Sequence, residues 1–226
     1  MPEIKEPLHL QEEKNPIAEV QKFWKKNNKL ISYAISALII IIGGLIGYKY
    51  MVTDPNEKKA SDAMFQAEEY YRMDSARLAL QGDNINAGFL KIMSRYSGTK
   101  AANLAAFYAG SCYLKLGDFN NAVKYLKEFS TPVLQLSARS HGLLADAYSE
   151  LNKKEEAIAE YKKAGTIFEK DNLISPEYLF RAGNLYETMG KNQEAIEMYQ
   201  NIKDKYPDFG AGHDIDKYLG RLGVTK

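Results

Sequence analysis

Residues 182–195 have the sequence AGNLYETMGKNQEA, and two earlier stretches follow the same pattern. They are AGSCYLKLGDFNNA at 109–122 and LADAYSELNKKEEA at 144–157. All three have a small residue second, Tyr fifth, Gly or Asn ninth and Ala last, and the second positions are separated by 35 and 38 residues. Self-similarity at a period of about 20–50 residues is typical of stacked structural repeats. The pattern therefore predicts three copies of one supersecondary unit.

The residue types at the shared positions predict that this unit is a helical hairpin. A small second residue (Gly110, Ala145 or Gly183) lets the first helix pack tightly on the second. Gly or Asn at the ninth position accepts the left-handed conformation that ends a helix. The Ala in the second helix is the point of closest contact, and the Tyr rings fill the groove between neighbouring repeats. We therefore predict an all-α solenoid of helical hairpins whose aromatic residues belong to the core.

The pattern resembles the tetratricopeptide repeat (TPR) family over residues 103–207. The resemblance implies three repeats within 102–207, whose first helices line a concave, protein-binding face. The residues at the face positions are Leu104, Phe107, Ser111, Leu114, Arg139, Gly142, Asp146, Ser149, Glu177, Phe180, Asn184 and Glu187. This face lacks the combined set of Lys and Asn residues with which some TPR proteins bind a terminal carboxylate. We therefore expect an extended or partly unfolded peptide, held through Phe107 and Phe180.

Atypical helices are expected on both sides of the repeats, because the ends of a solenoid need capping. Upstream, we predict one helix over residues 57–80 and a second over 85–96, so that 51–101 forms a linker helix and a degenerate capping pair. Downstream, residues 208–226 are predicted to cap the last repeat with a short helix over 214–222.

Residues 30–48 carry no charge, and these 19 residues span about 28 Å as a helix, close to the thickness of one hydrocarbon core. We predict a single transmembrane helix over residues 30–50. The apolar run is too long and starts too late for a signal peptide, and no small-residue cleavage site follows it. Gly43 and Gly47 have the small-xxx-small spacing that permits close helix packing in membranes.

Four basic residues, Lys22, Lys25, Lys26 and Lys29, immediately precede the apolar run. Because positive charge favours the cytoplasmic side, residues 1–29 are predicted to be a mostly disordered cytoplasmic tail and the repeats to be exported. Within this tail, an amphipathic stretch from residue 17 to 29 suits a helix that lies on anionic lipid. The opposite orientation, a cytoplasmic solenoid acting as a receptor, is an alternative.

The composition argues against nucleic-acid binding and catalysis. The chain has 30 Lys and Arg against 29 Asp and Glu, without the basic block that a nucleic-acid surface requires. The three His residues are scattered, and no His, Cys, Asp or Glu set has metal-ligand spacing. The single cysteine, Cys112, is expected to be a small buried hydrophobic residue. We predict that the protein is not an enzyme and uses no cofactor.

An N-terminal anchor followed by an exported TPR domain is similar to the layout of the bacterial ancillary subunit of the SecYEG translocon. Residues 88–105 look like the helix-turn-helix entry of that group. The resemblance implies a single-pass inner-membrane scaffold with a periplasmic TPR domain. Its partners at the translocon exit would be translocon subunits, a membrane-anchored peptidyl-prolyl isomerase and emerging polypeptides. A structural adaptor of an envelope or cell-division complex is the alternative from a different class.

Overall fold

The computed structural model of the protein describes residues 16–224, and their regular structure is helical. The chain forms two compact units with a boundary between Val52 and Thr53. The helices, in chain order, are α1 (Pro16–Tyr48), α2 (Asp54–Arg72), α3 (Ala76–Gln81), α4 (Phe89–Arg95), α5 (Lys100–Lys115), α6 (Phe119–Glu128), α7 (Leu134–Glu150), α8 (Lys154–Ile167), α9 (Ile174–Thr188), α10 (Asn192–Lys205), α11 (Pro207–Gly212) and α12 (Ile215–Arg221). A π-helical segment, Lys49–Thr53, follows α1.

Helix α1 dominates the first unit, and most of its large apolar side chains after Leu30 are exposed. Within residues 16–224, this is the one helical run that is long and apolar enough to cross a membrane. The helix begins at Pro16 and continues without a break into the apolar run. The part of the predicted disordered tail between residues 16 and 29 is therefore helical, whereas residues 1–15 lie outside the described residues.

Three helical hairpins, α5–α6, α7–α8 and α9–α10, form the centre of the second unit. The turns after their first helices contain Gly117, Asn152 and Gly190 with φ angles of 77°, 56° and 70°. These are left-handed conformations, which Gly and Asn adopt at helix ends. The predicted turn positions and the predicted all-α hairpin solenoid are both confirmed.

Small residues in the first helices determine how closely the two helices of a hairpin approach. A Cβ atom added to Gly110 would lie 2.5 Å from Cγ of Leu126, and one added to Gly183 would lie 2.6 Å from the Tyr199 ring. Ala145, at the equivalent position of the second hairpin, is fully buried. The alanines predicted as contact points of the second helices are also fully buried: Ala122, Ala157 and Ala195. Cores packed this tightly do not accept larger side chains without rearrangement.

The start of the second unit differs from the prediction of one helix over residues 57–80. The chain forms two helices there, α2 and α3, because it turns at Asp74, whose φ of 57° is left-handed. The Asp74 carboxylate accepts a hydrogen bond of 2.7 Å from Nζ of Lys115 on α5. No sequence repeat marks this break, so the helical periodicity on its two sides suggested a single element.

The helix predicted over residues 85–96 begins only at Phe89. The carboxylate of Asp83 accepts hydrogen bonds from the backbone N–H groups of Ile85 and Asn86 and holds these residues in a turn. The predicted start of this helix was therefore wrong. Beyond Phe89 the helix packs inward, and the Phe89 side chain has no exposed surface.

The C-terminal region contains two short helices where one was predicted over 214–222. Pro207 opens α11, which the sequence pattern missed, and α12 follows it. Ile215 and Leu219 of α12 are almost completely buried against the last hairpin, so α12 covers the core as a capping helix does. Cys112 is also buried, and burial raises the pKa of its thiol to about 12, as expected of an unreactive core residue.

The packing at Gly110 predicts opposite effects for two Gly→Ala changes. Gly110→Ala should lower the free energy of unfolding by about 1–2 kcal/mol, because the added methyl overlaps Leu126. A Cβ atom added to Gly220 in α12 would meet no atom within 4 Å. Gly220→Ala should therefore leave the free energy of unfolding unchanged or raise it by up to about 1 kcal/mol, because Ala has the higher helix propensity. Urea unfolding of both variants in detergent, followed by circular dichroism, would show this, and equal effects would contradict close packing as the cause.

The Asp83 turn predicts an acid-dependent loss of stability. Hydrogen bonds from the Asn86 N–H, the Tyr70 hydroxyl and the Ile85 N–H hold the pKa of Asp83 well below its ordinary value of 3.8. Because the pKa of Asp83 is lower in the folded state than in the unfolded state, the ionised carboxylate stabilises the fold above pH 3.8. This stabilisation is lost as the pH falls from 3.8 towards the folded-state pKa. The stability difference between wild type and Asp83→Asn should therefore shrink between about pH 5 and pH 2 in urea titrations. The exposed Asp62→Asn is the control, and a pH-independent difference for Asp83→Asn would refute this account.

Candidate protein-binding groove

A groove of about 620 Å³ lies between the first helices of the three hairpins, α5, α7 and α9. Helix α2 and the connection that precedes α9 also contribute to its lining. We call this surface the central groove. The predicted face residues that line it are Phe107, Ser111, Arg139, Asp146 and Glu177. The residues that line it without having been predicted are Tyr71, Tyr108, Leu136, Leu143, Leu173, Ile174, Tyr178 and Arg181.

One wall of the central groove is aromatic, and its rings hold one another in place. The Tyr108 ring stacks on Phe89 with 5.1 Å between the ring centroids, and the edge of Tyr71 meets it at the same distance. The centroid of the Phe107 ring lies 5.5 Å from that of Tyr108, in an edge-on arrangement. The Tyr71 hydroxyl lies 2.8 Å from Oγ of Ser111. Phe107 is itself 9% exposed, so the half-buried Tyr71 and Tyr108 side chains form most of this wall, and their rings are the part that can contact apolar side chains of a peptide.

The opposite side of the central groove is charged and largely neutralised. Arg181 on α9 donates hydrogen bonds to Asp146 on α7 (3.0 Å) and to Glu177 one turn earlier (2.8 Å), and the Tyr161 hydroxyl also donates to Asp146. Burial lowers the pKa of Arg181, but the Glu177 hydrogen bond and the charge of Asp146 outweigh this effect and raise the pKa overall. Arg181 therefore joins two repeats as a permanent cation.

Arg139 and Leu173 are the groove residues most available to a ligand. Arg139 is exposed and has no hydrogen-bond or ion-pair partner among residues 16–224. Leu173, in the connection between α8 and α9, is 76% exposed at the groove rim. A free guanidinium beside an apolar rim can recognise an extended segment that combines apolar and acidic side chains.

The other predicted face residues do not line the central groove. Leu104 and Leu114 are half-buried and pack against the core. Ser149 and Asn184 border a separate depression of about 360 Å³. Gly142 lies beneath a ring, because a Cβ atom there would approach Cζ of Tyr178 to 2.1 Å. These positions therefore lie outside the central groove.

Two of the repeat-three positions, Phe180 and Glu187, contact the C-terminal segment of the chain itself. The Phe180 ring is half-buried, with the edge of Tyr218 from α12 at 5.0 Å between centroids and His213 at 5.5 Å. Glu187 accepts two hydrogen bonds from Arg221, at 3.0 and 2.7 Å. Phe180 therefore does not face the central groove. Phe107 and Phe180 do not line one groove in this arrangement, contrary to the expectation that both hold the same peptide.

Helix α12 repeats the contacts of α9. Residues 218–223, YLGRLG, which begin in α12 and end just after it, match residues 178–183, YLFRAG, of α9. In both copies the Arg pairs with a carboxylate of the preceding first helix, and the Tyr contacts a Tyr of the preceding second helix: the pairs are Arg181–Asp146, Arg221–Glu187, Tyr178–Tyr161 and Tyr218–Tyr199. Helix α12 thus takes the place of a fourth first helix. This short repeat is the sequence signal for Arg181 and Tyr178, and it lies outside the pattern shared by the three hairpins.

A model of the tetratricopeptide repeat-like domain matches residues 21–210. The chain belongs to this TPR-like family. Among solved structures, a crystal structure of MamA protein is similar, with a TM-score of 0.54 and 19% identity over 72% of this chain and 89% of that chain. A second MamA crystal structure gives a TM-score of 0.43 at 19% identity, over 59% of this chain and 84% of that one. At such identity the likeness concerns the fold alone. No curated protein matches the chain.

TPR-like domains are protein-interaction domains, and the chemistry of the central groove agrees with such a role. The second hairpin also contains an internal side-chain contact in which Nδ1 of His141 lies 2.5 Å from Oε2 of Glu160. This contact joins α7 to α8 and so belongs to the packing of the repeat. In residues 16–224 no three His, Cys, Asp or Glu side chains are grouped so that they could hold a metal ion.

The pairing of Arg221 with Glu187 predicts that it fastens α12 to the last repeat. A double-mutant cycle of Arg221→Met and Glu187→Gln should give a coupling of about 1 kcal/mol in urea unfolding, because the bond is bidentate and Glu187 is mostly buried. The control cycle uses Lys203→Met and Asp216→Asn, because this exposed pair likewise fastens α12 to the last repeat, through α10. Its coupling should be under about 0.5 kcal/mol. Equal couplings would show that the bidentate contact has no special role.

Proposed function

We propose that the protein is a membrane-anchored TPR scaffold at the exit of the Sec translocon. It assists the export of secretory and membrane proteins by binding emerging polypeptides and handing them to periplasmic chaperones. The observation that carries the proposal is the combination, in one chain, of a membrane-length helix with a TPR-like solenoid whose central groove is open. The resemblance to the ancillary translocon subunit supplies the cellular setting.

The proposed topology is single-pass in the bacterial inner membrane. The tail lies in the cytoplasm and the TPR domain in the periplasm, since Lys25, Lys26 and Lys29 immediately precede the apolar run. The proposed partners are translocon subunits and a membrane-anchored peptidyl-prolyl isomerase. An isomerase needs access to unfolded chains, and a scaffold that holds such chains near the membrane provides it.

The central groove is the proposed binding site for the emerging chain. An unfolded segment offers apolar side chains at irregular spacing, and a fixed aromatic wall accepts them without requiring one sequence. Leu173 and Arg139 extend the contact at the rim, where both side chains are exposed. These two residues replace Phe180 as the ligand contacts that we propose beside Phe107.

Purification of the tagged full chain in mild detergent, followed by mass spectrometry, tests both parts of the proposal. Translocon subunits, the isomerase and unfolded secretory chains should co-purify with the wild-type protein. The variant Leu173→Glu with Arg139→Glu should lose the secretory chains at least about tenfold, because two exposed contacts are removed and negative charge is added. It should keep the translocon subunits and remain folded, since neither residue is buried.

The matched control is Ile85→Glu, which also replaces an exposed apolar residue, 91% exposed, outside the central groove. This variant should bind all partners as wild type does. Recovery of envelope or cell-division proteins in place of translocon subunits would overturn the translocon assignment. Unchanged capture of secretory chains by the double variant would instead remove the groove mechanism.

A further inference from the structure

In a chain anchored by α1, the start of the second unit lies close to the bilayer. The first residue of this unit, Thr53, comes only five residues after Tyr48, the last residue of the uncharged run. Even a fully extended chain of five residues spans no more than about 18 Å. The surface of the second unit around Thr53 is therefore within a short distance of the lipid headgroups.

Hydrogen bonds show which other segments share this end of the second unit. Near the start of α2, the Glu57 carboxylate accepts hydrogen bonds from the backbone N–H groups of Lys100 and Ala101, at 2.7 and 2.9 Å. Helix α5 therefore begins beside the start of α2. Asn103, in the first turn of α5, makes two hydrogen bonds with the backbone of Ser130, at 2.8 and 3.2 Å. The connections that precede α5 and α7 thus lie at the end where the chain enters the second unit, which we call the proximal end.

The two ends of the second unit differ in charge. At the proximal end, the connections before α5 and α7, residues 96–99 and 129–133, contain no charged side chain, and the second uncharged stretch continues to residue 138. The connection before α9, residues 168–173, is charged, but it lies further along the stack from the entry of the chain. At the opposite end, the turns after α2, α5, α7 and α9 each contain a charged residue: Asp74, Asp118, Lys153 and Lys191.

The uncharged proximal connections combine exposed apolar side chains with exposed basic ones. Pro132, Val133 and Leu134 follow one another and are all exposed, Val133 by 51% and Leu134 by 46%. Arg95 and Lys100, on either side of the connection before α5, are exposed as well. Apolar side chains that enter the boundary of the acyl chains, with cations beside them at the level of the headgroups, are typical of surfaces that lie on a membrane.

We propose that the connections 96–99 and 129–134 form a bilayer-contacting surface, with Val133 and Leu134 inserted at the interface of the membrane that anchors the chain. The chain length brings this surface near lipid in every copy, whereas a separate protein would have to be recruited by affinity. The contact would hold the solenoid in one direction, with Leu173 of the central groove near the membrane surface. The inference rests on the membrane anchoring in the proposed function and is independent of ligand binding in the groove.

The test measures contact with lipid, using the full chain alone in vesicles of phosphatidylcholine and phosphatidylglycerol with brominated acyl chains. Because Cys112 is buried, a fluorophore can be attached to one introduced cysteine, Gln135→Cys beside the surface or Asn192→Cys at the opposite end, both at exposed positions. The label at position 135 should lose roughly half of its fluorescence to bromine, since interfacial segments lie about 5–10 Å deep. The label at position 192 should lose little, and equal quenching of both labels would overturn the proposal.

Two pairs of substitutions separate insertion of the apolar side chains from the effect of the tether. Val133→Ser with Leu134→Ser should abolish the quenching at position 135 and preserve the fold, because Val133 is the N-cap of α7, where Ser is favoured. The control, Leu78→Ser with Leu116→Ser, removes side chains that are 43% and 44% exposed at the opposite end and should leave the quenching unchanged. Quenching that persists in the first pair would show that the tether alone brings the label to lipid, and would refute the proposal.

Flotation of the vesicles separates failure of this inference from failure of the proposed function. A chain that does not float with the vesicles contradicts membrane anchoring, and with it both proposals. A chain that floats without quenching at position 135 contradicts the bilayer-contacting surface alone. If the label then changes its emission only when an extract of inner-membrane proteins is added, the surface belongs to a protein partner instead, and the lipid assignment is wrong.

Discussion

The close approach of the two helices in each hairpin is the constraint on which the solenoid depends. At Gly110 and Gly183 the space for a Cβ atom is taken by a side chain of the second helix, and at Ala145 only a methyl group is present. This separation sets where each first helix lies relative to the next, and hence the width of the central groove. A larger side chain at any of these positions would move a whole hairpin, since packed cores deform little.

The repeated part of the fold could be predicted because each shared position tolerates few residue types. A left-handed turn requires Gly or Asn, and a helix crossing at contact distance requires Gly or Ala. The segment from α2 to α4 has no such repetition. Its breaks depend on single local events, the backbone of Asp74 and the side-chain hydrogen bonds of Asp83. Periodicity does not report these events, and the predicted helix limits failed at both places.

The candidate site could be predicted only in part, for a tertiary reason. Family positions identify the side of each first helix that faces the concave surface, but not what covers it. In repeat three α12 covers that side, and its resemblance to α9 occurs at a spacing of 40 residues rather than 35 or 38. Tyr178 was not predicted as a groove residue for a second reason. Its ring occupies the space above Gly142, where the pattern showed only a small residue.

In both the covered and the open part of the concave surface, an Arg pairs with a carboxylate of the preceding first helix, but the consequences for the surface differ. Arg221 neutralises Glu187 and closes the end of the stack, whereas Arg181 is divided between Asp146 and Glu177. In the described part of the central groove this leaves Arg139 as the one cation without a partner, opposite an aromatic wall whose rings are already fixed. A preorganised wall loses little entropy when a ligand binds, so an extended chain bears most of the ordering cost itself. Weak, sequence-tolerant and reversible binding is the expected consequence, with acidic segments favoured over basic ones.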